Sequence, residues 1–375
     1  MDESDRRLPA LQALRGIAAS LTVFFHFAQL YQERTPTPSR IHDSGFGDLG
    51  ACGVDLFFVI SGFIMVYTTR TKAGGNDALV FMTRRILRIY PLYWFWTSLL
   101  LALWLGGLAQ RMQRYSASYV ARSYFLIPSF NGVNFHPLVH QGWTLSFEMF
   151  FYLIFSCGIV LKLRSGKLLL LAATFSICAL LSRSLAPYSG VRYLLANPIS
   201  IEFLYGMLAA ELLVKVRPIC SHCAARSLSI ALIGVGAGAL LFTIKFYDAY
   251  SLRFVFYGVP VSCIVLGGAM LGSAPAPSLL VYLGDRSYSI YVTHGFFLMA
   301  YAFALKHWAF CFGLPADTAI ALAGAMTLAL SSFTYSLVER PLTVALKRSA
   351  IVATYTCGDI RRIRHSKVFP GVADK

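Results

Sequence analysis

Apolar blocks of roughly 20 residues recur along the whole 375-residue chain, and a block of that length can cross a bilayer as a helix. This feature predicts an all-α membrane protein, a polytopic bundle of about ten transmembrane helices. The composition agrees: 57% of the residues are apolar and only 13% are charged, against about 25% charged in soluble domains. A water-soluble globule, a disordered tail, a collagen-like repeat and a disulfide scaffold are thereby excluded. The ten expected spans cover residues 8–31, 52–69, 89–108, 143–161, 168–186, 194–214, 228–245, 254–272, 287–305 and 317–338.

An even number of spans puts both termini on one side, and charge says which. Of the Lys and Arg residues, 22 fall on the side of the termini and 10 on the other, with Arg15 inside the first span. Positive residues favour the cytoplasmic side, so both ends are expected there. Arg6 and Arg7 precede an apolar run as in a signal peptide, but Arg15 interrupts that run and no small-residue cleavage site follows, so the span is expected to be retained. A transmembrane domain is expected over 1–346 and a basic cytoplasmic tail over 347–375, lying against anionic lipid. The net charge of +16 therefore points to membrane lipids as partners and not to nucleic acid, for which no motif is present. Cys220-Ser-His-Cys223 has metal-ligand spacing but no second pair nearby, so no metal is expected.

A charged side chain in hydrocarbon costs about 2.5–3.5 kcal/mol on insertion scales, so each one inside a span needs a partner or a purpose. In the first span Arg15 and His26 are eleven residues apart. That is three helical turns plus roughly 20°, so both face one way with a rise of about 16 Å between them. Arg84, Arg85 and Arg88 stand at the inner end of the third span. Arg84 and Arg88, at i and i+4, converge on one face as a fork suited to phosphate oxygens; ordinary positive-inside anchoring fits the same residues. Glu148 lies below Trp143 in the fourth span, Glu202 below Asn197 in the sixth and His26 below Tyr31 in the first, each by five residues. Two carboxylates and an imidazole at one depth form either an acid/base site or a mutually neutralising cluster. His294 is expected near mid-membrane, with Tyr288 and Tyr291 on neighbouring turns, lining a passage or making a structural hydrogen bond. The outer loop 109–142 sets Tyr115, Tyr119, Tyr124, Phe125, Phe130 and Phe135 among arginines, which suits either sugar faces or the membrane interface.

Seven ordered segments together resemble the acyltransferase 3 family of integral membrane O-acyltransferases. They are the Arg15-to-His26 spacing, GVDLFFVISGFIM, FMTRRILRIYPLYW, GWTLSFEMFFY, IEFLYGM, LGDRSYSIYVTH and the closing Val338-Glu339-Arg340-Pro341. The opening LQALRGIAA, with no fused outer hydrolase domain expected, is most similar to bacterial exopolysaccharide acetyltransferases. The resemblance implies the inner membrane of a bacterium, a cytoplasmic acyl-CoA (acetyl-CoA) donor and a glycan or lipid-linked saccharide acceptor at the outer face, with no permanently bound cofactor. It implies catalytic roles for Arg15 and His26 and donor contacts for the third-helix arginines. On this reading Arg84, Arg85, Arg88 and His294 hold the donor, His26 is the general base, and Glu148 orients the imidazole or holds the acceptor. Glu202, Trp143 and Asp55 are the acceptor-binding candidates. Transient acylation of His26 and direct transfer are equally compatible with the sequence. The rival from another class is a proton-coupled transporter or flippase of a glycan or small solute, with His26, Glu148 and Glu202 as its relay.

Overall fold

The computed structural model describes residues 8–45, 49–110, 113–163, 167–244, 252–307 and 314–346. The basic tail expected over 347–375 lies outside the described residues. The principal helices are α1 (Pro9–Arg34), α2 (Cys52–Thr69), α3 (Gly75–Leu105), α4 (Ala117–Tyr124), α5 (Gly142–Val160), α6 (Lys167–Leu181), α7 (Ser200–Val216), α8 (His222–Thr243), α9 (Val259–Met270), α10 (Ser278–Asp285), α11 (Ser287–His307) and α12 (Ala316–Thr334). There is no strand among the described residues. Eight helical stretches are long and apolar enough to cross a membrane, and Phe254–Met270 is a shorter apolar one. With the 17-residue α7, these account for all ten expected spans.

The boundaries differ where local chemistry overrides hydropathy. α3 runs for 31 residues and begins well before the expected start at 89. Arg84, Arg85 and Arg88 carry good helix propensity although they lower the hydropathy of that stretch. Arg84, Arg85 and Arg88 therefore sit inside the helix and not at its threshold. Inside the expected span 254–272, Pro260 would kink a helix that ran from the start of the span. It instead occupies the first turn of α9, directly after a π-helical segment, Phe254–Gly258.

Pro9 likewise opens α1, with φ already set for a helix. α1 ends where Thr35 turns extended and both its N–H and its hydroxyl donate to the Tyr31 carbonyl, each at 2.9 Å. In lipid no hydrophobic force draws helices together, so close packing relies on small residues. Gly206 of α7 lies against α2: a Cβ there would overlap the Val59 carbonyl and come within 2.8 Å of the Phe63 amide nitrogen. Large fully buried side chains, among them Tyr93, Tyr152, Phe63, Phe151 and Phe203, fill the bundle's interior, with the Phe151 and Phe203 rings stacked at 4.2 Å.

Candidate active site

Six helices line a cavity of about 670 Å³, within the range of small-molecule sites, with α1, α2 and α5 forming most of its wall. α2 contributes Val54, Phe57, Phe58, Ser61, Ile64, Met65 and Thr68, a stripe at three- and four-residue spacing that is one face of a helix. α1 contributes Leu8, Leu11, Gln12 and Arg15, and α5 contributes Thr144, Glu148 and Tyr152, each set again on one face. From Thr68 to Val54 the cavity follows α2 for about 21 Å. One end lies where α1 begins and α2 ends. The other lies at Phe57, Thr144 and Tyr291.

The cations in this cavity are Arg15, Arg85 and Arg88. Arg15 donates to the Ser287 hydroxyl at 2.9 Å, and the charges acting on it are those of Arg88, Glu148 and Glu339. Ser287 reaches Arg15 because α10 packs tightly on α1 beside Gly16, where a Cβ would come within 3.0 Å of the Gly284 nitrogen. The Arg85 guanidinium lies 5.3 Å from the ring centres of both Phe81 and Tyr152, an arrangement that stabilises a cation away from bulk water. Arg88 is exposed into the cavity. The cavity-lining pair is thus Arg85 and Arg88, at i and i+3, and not the expected Arg84 and Arg88 fork. Arg84 does not line the cavity, because helix rotation turns residue 84 away from the face that residues 85 and 88 share.

Glu148 accepts hydrogen bonds from Tyr152, one turn along the same helix, and from Ser61 at 3.1 Å. It does not contact His26. Gln141, just before α5, points its side-chain amide at His294 Nε2, 3.4 Å away, and the His294 ring centre lies 5.1 Å from that of His26. Glu148 is seven residues further along α5 than Gln141, about 10 Å deeper. The expectation that Glu148 orients the imidazole is therefore corrected. The two groups occupy different levels because α1 runs on to Arg34 while α5 starts only at Gly142.

Between the levels lies one layer, in which the Tyr291 and Thr144 hydroxyls are hydrogen-bonded at 2.8 Å. Above it the two histidines are fixed by backbone carbonyls. His26 Nδ1 lies 2.8 Å from the Thr22 oxygen, and His294 Nδ1 lies 2.7 Å from the Tyr291 oxygen. A carbonyl only accepts, so both Nδ1 atoms carry hydrogen, and in the neutral rings both Nε2 atoms hold a lone pair. His294 is fully buried, and its Nε2 accepts from Gln141. His26 is half-buried.

Glu202 and Asp55, expected with the acceptor, lie elsewhere. Asp55 is buried and receives a bidentate pair from Arg253, at 2.9 Å from Nε and 2.6 Å from the terminal nitrogen, which also donates to the Ala51 carbonyl at 2.7 Å. Glu202 is buried beside this pair, and neither residue lines the cavity. The expected single site of Glu202, Glu148 and His26 does not form: Glu148 and His26 lie at different levels, and Glu202 sits beside Asp55 where α7 packs behind α2. Trp143 is half-buried, its ring centre 5.9 Å from that of His136. Sequence reasoning missed Ser61, Tyr152, Gln141, Ser287 and Arg253. Tyr152 was signalled by its i+4 spacing from Glu148, whereas Arg253 reaches Asp55 across 198 residues and left no local signal.

The described chain is thus a bundle of membrane-crossing helices around an interior cavity whose largely apolar wall carries Arg15, Arg85 and Arg88. Residues 8–335 match the acyltransferase domain of the acyltransferase 3 family, and the chain belongs to that family. It is 32% identical over 305 residues to the exopolysaccharide production protein ExoZ of Rhizobium meliloti, covering 78% of this chain and 90% of the relative. It is 28% identical over 304 residues to the putative membrane-bound transacylase BcsY of Komagataeibacter xylinus, covering 76% of this chain and 71% of that one. The O-acetyltransferase OatA of Staphylococcus aureus is 25% identical over 322 residues, which cover 78% of this chain but 50% of that longer relative. No solved structure matches the chain. The chain is a multi-pass membrane O-acyltransferase, and the transporter reading falls away.

Proposed function

We propose that the protein transfers an acyl group, most simply acetyl, from cytoplasmic acyl-CoA to a hydroxyl of an exopolysaccharide or other cell-surface glycan. The observation that carries this reading is the cavity itself, with arginines along its wall and the His26–His294 pair one layer beyond its far end. Arg85 and Arg88 hold the CoA phosphates through charge-assisted hydrogen bonds. The narrow pantetheine arm then follows α2 upward past Arg15 and Glu148. Arg15, held by Ser287, keeps its charge on the cavity wall.

The thioester reaches His26 when the Tyr291–Thr144 bond opens, and one such hydrogen bond costs only about 1 kcal/mol to break. His26 Nε2 takes the proton of the acceptor hydroxyl. The oxygen attacks the thioester carbonyl, the C–S bond breaks, and the departing thiolate recovers the proton from the imidazolium. Nδ1 stays bonded to the Thr22 carbonyl throughout, which fixes the ring for both proton transfers. Tyr291 and Gln141 are the hydrogen-bond donors available to the developing oxyanion. The excess of basic residues on the side of the termini supports placing that side, and the donor, in the cytoplasm.

Purified protein supplied with labelled acetyl-CoA and an acceptor glycan is expected to form a glycan ester. His26→Ala should lower the transfer rate by about 10²- to 10⁴-fold with membrane levels and acyl-CoA binding unchanged. Near-normal transfer by that variant refutes the assignment of the base.

A further inference from the structure

At the other end of the bundle, the segment joining α3 to α5, which includes α4, lines a second, open cavity of about 350 Å³. The Tyr115 and Tyr119 rings form one wall, stacked at 5.0 Å and within 7° of parallel. Tyr119 is buried and anchored by its hydroxyl to the His136 carbonyl at 2.6 Å, while Tyr115 is half-buried and donates to Gln110 Oε1 at 2.8 Å. Asn131 accepts from the Val133 and Asn134 amides at 2.9 and 2.8 Å, which shapes the opposite turn.

The floor is a pair of histidines, His136 and His140, whose Nδ1 atoms lie 2.9 Å apart. One must donate and the other accept, so the pair cannot be doubly charged without breaking this bond. Burial pushes the His136 imidazole down to about 4. Desolvation, together with the charges of His136 and His26, also lowers His140, although its exposed part is open to water in the pocket. None of the described lining residues is Asp, Glu, Lys or Arg. Among the described residues the wall therefore offers amides, phenols, neutral imidazoles and flat aromatic surface, and no Asp, Glu, Lys or Arg. A carboxylate or phosphate placed against these described residues would be desolvated with no cation among them to offset the cost. A polyhydroxylated neutral ring would be matched on both its polar edge and its apolar face. The volume, near the lower end of about 300–1,000 Å³ for small-molecule sites, suits one or two sugar rings.

We infer that this pocket is the acceptor subsite and takes an uncharged pyranose unit, with the reacting hydroxyl directed past His140 to His26. The inference rests on the glycan-acylation reading above. His140 is the link, since it lines the pocket and directly precedes Gln141, whose amide reaches His294 beside His26.

The test uses the full chain in detergent, with cellobiose as the neutral probe and a glucuronate-containing disaccharide as the anionic one, read by saturation-transfer NMR. Wild type should bind cellobiose and not the uronate. Tyr115→Ala and Gln113→Ala should weaken cellobiose binding by about tenfold, and Tyr115→Phe, which keeps the ring, should remain near wild type. Gln113 is exposed, so its loss does not threaten the fold. Equal binding by wild type and the alanine variants, preference for the uronate, or no saccharide binding overturns the inference. Acyl-CoA binding is measured in the same samples. If it is absent while cellobiose still binds and is lost in Tyr115→Ala, the donor reading fails and the pocket stands.

Discussion

Exchanging Arg88 and Arg84 one at a time for alanine separates a donor site from a topological anchor. The two residues are one turn apart on α3 and carry the same charge, yet only Arg88 lines the cavity. Arg88 is exposed, and Arg15 remains as a cationic neighbour of the partly buried Glu339, so Arg88→Ala should affect folding only mildly. A hydrogen bond to a charged group contributes about 1.5–3 kcal/mol, which corresponds to roughly a 10- to 150-fold loss in acyl-CoA affinity. Arg84→Ala removes a charge without removing a lining group, so its effect should stay within about threefold, the scale of long-range charge screened by salt. Equilibrium binding of acyl-CoA to detergent-purified protein at two salt concentrations reads both numbers, with Arg88→Ala also flattening the salt dependence. Equal losses in the two variants, or a larger one in Arg84→Ala, would refute the assignment of the cavity face and restore the i, i+4 fork.

Three other outcomes follow from particular contacts. Asp55→Asn breaks the bidentate pair with Arg253 and strands a guanidinium, so thermal stability should fall by about 3–5 kcal/mol, while the acceptor KM of the folded fraction stays unchanged; a raised KM without loss of stability would return Asp55 to the acceptor site. Gly206→Ala forces α7 off α2 and should cost about 1–3 kcal/mol in denaturation assays, against near neutrality if the helices were loosely packed. His136 titrates near 4 when folded and near 6.5 when unfolded, so below pH 6.5 the unfolded loop gains a proton that the folded one refuses. Protection of the 113–141 segment in hydrogen exchange, corrected for intrinsic rates, should therefore be constant above pH 6.5 and decline from there toward pH 4; a rise on acidification would contradict a buried neutral pair.

The helical membrane architecture was legible in the sequence because hydrocarbon imposes a one-dimensional rule: a span must be long, apolar and internally hydrogen-bonded. The same rule exposes Arg15, His26 and Glu148, since an ionisable group in a span stands out without any knowledge of its neighbours, and helical periodicity places Arg15 and His26 on one face. Their partners obey no such rule. Which two of Arg84, Arg85 and Arg88 turn inward depends on the rotation of α3 against α1 and α5, and the level of Glu148 relative to His26 depends on where α5 starts beside α1. The Asp55–Arg253 pair joins residues 198 positions apart, and His294 meets His26 only because α11 packs along α1. Composition and spacing determine what each helix must contain, whereas the rotations and offsets between helices are settled by side-chain packing across distant segments, and only the folded bundle decides those.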